Sequence, residues 1–229
     1  MIENKEKQEI LRLLTQKSSV KQDVYQQTIA NFELLKTVLR EFSEDLSAYV
    51  SKQDPRVIVE YSEKAKHVIQ LRFAGDILVF YMHTNVFAFP ENHKIWKYKY
   101  VKTNDYRSLC GVIQVYNFLN DSFVFNRVND IGVMVARIFN NMENHYFAEG
   151  DEILDKHFGN ISLNKFTKVE AQRLVEHLVL NTLNFDLITP PIENVQAASV
   201  NELTEITKSI QFVTSKKLGY KMSWEQKVL

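Results

Sequence analysis

One cysteine, six glycines, four prolines, no net charge and no long apolar run characterise this 229-residue sequence more than any motif in it. Cys110 has no partner for an internal disulfide, and a lone thiol excludes cysteine-based zinc spacings. The few glycines form neither a G-x-G-x-x-G dinucleotide turn nor a phosphate-cradling loop, and no serine sits in a G-x-S-x-G elbow. The 28 basic and 28 acidic residues cancel, so no global field draws in nucleic acid or an acidic membrane surface. No stretch approaches the roughly 20 apolar residues that span a bilayer, and the opening MIENKEKQE is too polar for a secretory signal. These absences point to a cytoplasmic protein with no membrane partner, and they imply no cofactor.

What is present is a packed core: 45% of residues are hydrophobic and 12% aromatic, well outside the range of disordered chains. The organising stretch is His67–Val101, whose apolar runs are cut by Ala74-Gly75-Asp76, His83-Thr84-Asn85 and Pro90-Glu91-Asn92. Such breaks carry turn chemistry. Ile77–Met82 is apolar on both alternating faces, as in a central strand covered above and below. Ile69, Leu71 and Phe73 alternate with Gln70 and Arg72. The expectation is an α+β fold: an antiparallel meander over about residues 56–101, flanked by helices. Arg56–Tyr61 begins it, and Ile95–Val101 closes it as an edge strand.

Ahead of the sheet, Glu3–Gln16 reads as a short helix with Ile10, Leu11, Leu13 and Leu14 inward, ended by Ser18-Ser19. A long amphipathic helix follows over about 20–50. Phe32, Leu35, Leu39, Phe42 and Leu46 form part of a seven-residue seam along it. That seam serves either a partner protein, a second copy included, or the chain's own sheet. Asp54-Pro55 ends the helix. Past the meander, Leu109, Val112, Ile113, Tyr116 and Leu119 repeat at helical spacing and place Cys110 in a helix as a buried, inert thiol. Phe123–Phe125 reads as a strand.

Asp130–Met142 fits both periods, with Ile131, Met134, Val135, Ile138, Phe139 and Met142 at helical spacing and Val133, Val135, Arg137 and Phe139 at strand spacing. A helix there would leave no cross-strand pairing, whereas the β-branched content and Gly132 favour a strand, and residues 131–150 then extend the sheet as a hairpin with Asn144 left-handed in a three-residue loop. Its register sets Phe139 against Phe147 and Arg137 against Glu149. Helices follow at Asp151–Phe158, after Thr167 with its capping-box Glu170, and after Ser199 with Glu202. The whole, 1–229, reads as a single domain: a helical segment 1–53, a sheet-containing core 54–189, and a C-terminal helical segment and tail 190–229.

Three groupings carry candidate chemistry. Arg137, Asn141, His145 and Glu149 share one hairpin face. Arg137, His145 and Glu149 suit an anion clamp with an acid–base group, or an ordinary cross-strand ion pair. Lys94, Lys97, Lys99 and Lys102, among Trp96, Tyr98 and Tyr100, suit nucleic acid. Strand alternation, however, sends aromatics and lysines to opposite faces, so nucleic acid is disfavoured. Asp76, His83 and His93 lie in turns, with Asp76 and His93 expected at one end of the sheet and His83 at the other, and no metal site is assigned. The reading that follows is a non-enzymatic binding or assembly module, self-associating through its long helix. An enzyme using Arg137, His145 and Glu149 is the alternative.

Overall fold

The computed structural model describes residues 4–189, 191–192, 196–197 and 199–201. The helix expected after Ser199 and the tail beyond it lie largely outside these residues.

The amino-terminal helices are continuous. α1 (Lys5–Leu13) is capped by Asn4, whose side chain accepts the Glu6 N–H, and a π turn over Leu14–Ser18 joins it to α2 (Ser19–Gln53). Together they make one helix of 49 residues. Ser18 keeps helical dihedrals and makes no side-chain cap, so the expected break is absent. One extra residue per turn in the π segment absorbs what the serines would have interrupted. Ile10, Leu11, Leu13 and Leu14 are exposed rather than inward. The helix ends where expected: Asp54, before Pro55, turns extended.

Six strands follow in one open antiparallel sheet, in the order β1 (Val59–Ala65), β2 (Val68–Phe73), β3 (Asp76–Met82), β4 (Gly111–Leu119), β5 (Val133–Asn140) and β6 (Tyr146–Glu149). On its helix-facing side, Tyr61, Leu71, Leu78, Phe80, Val115, Ile113 and Ile138 meet strand by strand. Phe32, Leu35 and Leu39 of α2 pack into this layer, as do Leu174, Val175 and Leu178 of α6 (Lys168–Leu183). Each such side chain stabilises by roughly 1.5–3 kcal/mol relative to exposure. Gly111 lets α2 lie close: a Cβ there would run into the Thr28 side chain.

The central strand is β3, with Leu78, Phe80 and Met82 fully buried. Its other face is covered less: Ile77 is buried, but Val79 and Tyr81 are half-buried. Cover on that side comes from residues 83–110, which return across β4–β6 and form a second core of Ile95, Val101, Val112, Phe139, Phe147 and Ile161.

Three expected elements differ. Residues 111–119 are strand, not helix, because pairing to β3 and β5 on both edges overrides a helical spacing that the apolar residues also happen to satisfy. Ile95–Val101 is not a strand but a 3-10 turn, Lys94–Lys97, followed by the one-turn α3 (Lys99–Lys102). There Ile95 and Val101 are the buried anchors, while Trp96, Tyr98 and Tyr100 turn to separate hydrogen-bond partners. Phe123 and Val124 belong to the short α4 (Asn120–Val124). The meander therefore runs from Val59 to Met82 and resumes at Gly111.

The hairpin at 131–150 keeps its expected register. Asp151 caps α5 (Glu152–Phe158), and Thr167 caps α6 by accepting the Glu170 N–H at 3.3 Å.

Candidate functional site

The β5–β6 hairpin organises the polar chemistry. Asn144 sits at φ 62°, and the Asn141 N–H donates to the His145 carbonyl at 3.0 Å, closing the three-residue loop. That loop sets the register, which places Arg137 opposite Glu149 and Phe139 opposite Phe147. The four polar residues expected on this face separate into two groups.

The first group is Arg137 and Glu149. Arg137 Nη2 donates to Glu149 Oε2 at 2.6 Å, and the Glu149 side chain is only 9% exposed. The other carboxylate oxygen receives His93 Nε2 at 3.0 Å. His93 Nδ1 accepts the Ile95 N–H at 3.2 Å, which assigns the imidazole proton to Nε2. Burial pushes the Glu149 carboxyl up, but the His93 hydrogen bond and the charges of Arg137 and Lys94 outweigh it, and the carboxyl lies below its ordinary value. Lys94 itself pairs with Asp155.

Above this pair is a slot of about 330 Å³ walled by Phe87, Phe89, Pro90 and Phe139, with Gln114, His93 and Arg137 as its polar edge. The Phe89 ring stacks on His93 at 4.4 Å and meets Phe139 edge-on at 5.1 Å, and Phe139 stacks on Phe147 at 4.9 Å. Arg137 lies over the Phe139 ring. An apolar body with a few convergent polar groups is the usual make-up of a small-ligand site.

The second group is Asn141 and His145. Asn141 is fully buried: its Oδ1 accepts the Glu143 and His145 N–H groups, and its Nδ2 donates to Tyr100 Oη and the Arg107 carbonyl. His145 donates Nδ1–H to the Ile161 carbonyl at 2.8 Å, and its ring stacks on Tyr100 at 4.3 Å. These two residues hold the turn together; neither reaches Glu149.

His93 is the residue that sequence reasoning misplaced. It lies by Glu149, in the cross-strand row that runs through Arg137 and Gln114 to Tyr81, near the Met82 end of β3. It therefore shares an end with His83 and not with Asp76. Among the described residues no three His, Cys, Asp or Glu side chains converge where a metal ion would sit. Cys110 is buried, and burial raises its thiol pKa, but it lies beside β4 and pairs with Phe87 rather than sitting in a helix. Lys97, Lys99 and Lys102 are exposed, whereas the aromatics between them point inward: Trp96 Nε1 donates to the Pro90 carbonyl and Tyr98 Oη to the Gly159 carbonyl. Of the seam residues, Phe32, Leu35 and Leu39 lie in the chain's own core, and Phe42 and Leu46 pack at its margin. No helix among the described residues is long and apolar enough to cross a membrane.

Compared with known proteins, the chain matches no family model, no curated protein and no solved structure.

Proposed function

We propose that this chain is a non-enzymatic binding module whose slot beside Arg137 seats a compact apolar group ending in an anionic or carbonyl oxygen. One observation carries the reading. Both nitrogens of His93 and both oxygens of Glu149 are already engaged within the protein. An acid–base pair needs a free lone pair or proton aimed at its substrate, and this pair offers neither. The neighbouring slot is open, and the Gln114 amide lies on its edge with room to bond a ligand oxygen.

Trp96 supplies the assay, because its indole donates to the carbonyl of Pro90 in the slot wall. In a Trp224→Phe background Trp96 is the sole indole. Phenylacetate, an aromatic ring bearing a carboxylate, is expected to change its fluorescence saturably. Gln114→Leu is expected to weaken that response several-fold without altering stability. A response identical in Gln114→Leu and Arg137→Gln, or none with phenylacetate, benzoate and phenylacetamide alike, refutes the proposal.

A second reading, self-association, is favoured by the amino-terminal arm. Ile10, Leu11 and Leu14 are 51–58% exposed on a helix that runs unbroken into the core. The occupant we assign is the arm of a second copy, since its mixed charges, Lys5, Glu6, Lys7, Glu9 and Arg12, complement themselves. A dimer by light scattering that Leu11→Asp with Leu14→Asp converts to a folded monomer supports it; a monomeric parent removes it.

A further inference from the structure

An open sheet has two edges, and this one treats them differently. The outer edge of β6 is covered where the strand begins. Tyr146 donates its N–H to the Asn164 carbonyl, Phe166 donates to the Asn144 carbonyl, and His145 bridges Lys165, all by the chain segment that leads into α6. β1 pairs with β2 on one side only, and among the described residues nothing pairs with its other side. Exposed edges of this kind are normally blunted by bulges and lysines. β1 has those devices at its far end alone, where the ladder shifts between Glu63 and Ala65 and Lys64 and Lys66 stand exposed. Its first half, Val59-Glu60-Tyr61, has none.

That unprotected half faces a groove. A space of about 590 Å³ runs between β1 and the second half of α2 and touches Val59, Glu60 and Tyr61. Val59 and Tyr61 point to the helix side of the sheet and Glu60 to the other, so a space that meets all three follows the strand edge itself. The helix wall opposite is built from Ser43, Ser47, Ala48 and Ser51, whose small side chains leave room for a backbone. Its charge is one-sided. Arg40 lies in the groove but is taken up by Glu63 at 3.1 Å and by the Tyr61 ring. Glu44 and Glu60 have no ion-pair partner among the described residues.

We propose that this groove is a docking site for an extended, basic segment of a partner polypeptide, which adds to the sheet as a seventh strand beside β1. The free ladder of β1 supplies the main-chain hydrogen bonds. Alternate side chains of the segment lie against the serine wall, with a lysine or arginine among them beside Glu44, and lysine or arginine at the intervening positions meets Glu60 on the other face. Four strand spacings, about 19 Å, separate β1 from β5 and the slot beside Arg137. The inference is therefore independent of any ligand there.

The test is selection of a displayed random octapeptide library on the full-length protein, followed by amide hydrogen exchange with the best synthetic peptide. Expected are peptides rich in β-branched residues alternating with lysine or arginine. They should slow exchange at Val59–Tyr61 and bind at least tenfold more weakly to Ala48→Trp, an exposed substitution that fills the groove and leaves the fold intact. Combined Glu44→Lys and Glu60→Lys should exchange the basic preference for an acidic one. N-methylation of alternate peptide amides should abolish binding. An empty selection, binders without basic enrichment, or binders indifferent to both Ala48→Trp and N-methylation overturn the proposal. So does a dimer of the chain itself that buries Val59–Tyr61, because the partner would then be a second copy.

Discussion

Replacing Arg137 by methionine tests the electrostatics of the sheet face directly. The substitution keeps most of the side-chain volume but strips the guanidinium from a Glu149 carboxylate that is only 9% exposed. Leaving a buried charge without its partner typically costs about 3–5 kcal/mol. The Arg137 side chain is itself 39% exposed and His93 still donates to Oε1, so the expected cost at pH 7 is about 2–4 kcal/mol. The acid dependence distinguishes this from a packing defect. In the native chain the Glu149 carboxyl is held below its ordinary value, so its contribution is present above about pH 4.3 and is lost as pH falls through the lowered folded value. Without Arg137 one lowering influence is gone, and burial, the largest influence on this group, raises the carboxyl from its native value. The penalty of Arg137→Met is then full at neutral pH and shrinks as the pH falls through that raised value, because the protonated acid no longer needs a cation. Urea unfolding at pH 7 and pH 4.5, for Arg137→Met, Glu149→Met and the double variant, measures this. The double variant should recover most of the loss. A penalty below about 1 kcal/mol, one that grows toward acid, or a double variant whose cost is the sum of the singles refutes the reasoning.

Gly111→Ala drives a methyl into the Thr28 side chain and should cost about 1–3 kcal/mol. Thr28→Ala in the same chain should restore part of that in thermal unfolding. Leu39→Ala, in the α2–sheet core, should lose about 2–5 kcal/mol by urea titration, whereas Leu11→Ala on the exposed arm should stay within about 0.5 kcal/mol. Asn141→Ala leaves two N–H groups and the Tyr100 and Arg107 oxygens without their partner. It should cost at least about 2 kcal/mol and raise amide exchange at Glu143 and His145.

Local chemistry made some of this molecule readable before its structure. The register of the β5–β6 hairpin follows from a loop length and one left-handed asparagine, and those also join Arg137 to Glu149. The helix cap at Thr167 declares itself within four residues. Where the sequence misled, the deciding contact was distant or the pattern was shared by two structures. β4 carries Val112, Tyr116 and Phe118 on its less buried face as well as Ile113 and Val115 on the other, so its sequence lacks the alternation of a half-covered strand and fits a helix equally well. Residues 95–101 alternate well, yet they are anchored at Ile95 and Val101 against a second core that no local period announces. His93 is 56 residues from Glu149 in the chain, and nothing around it signals the meeting.

The unbroken run from α1 into α2 has a mechanical meaning. A rod of 49 residues is about 74 Å long, and its inner portion is cemented into the sheet by Phe32, Leu35 and Leu39. Force applied near Lys5 is therefore delivered by leverage to the same side chains on which the body relies for cohesion.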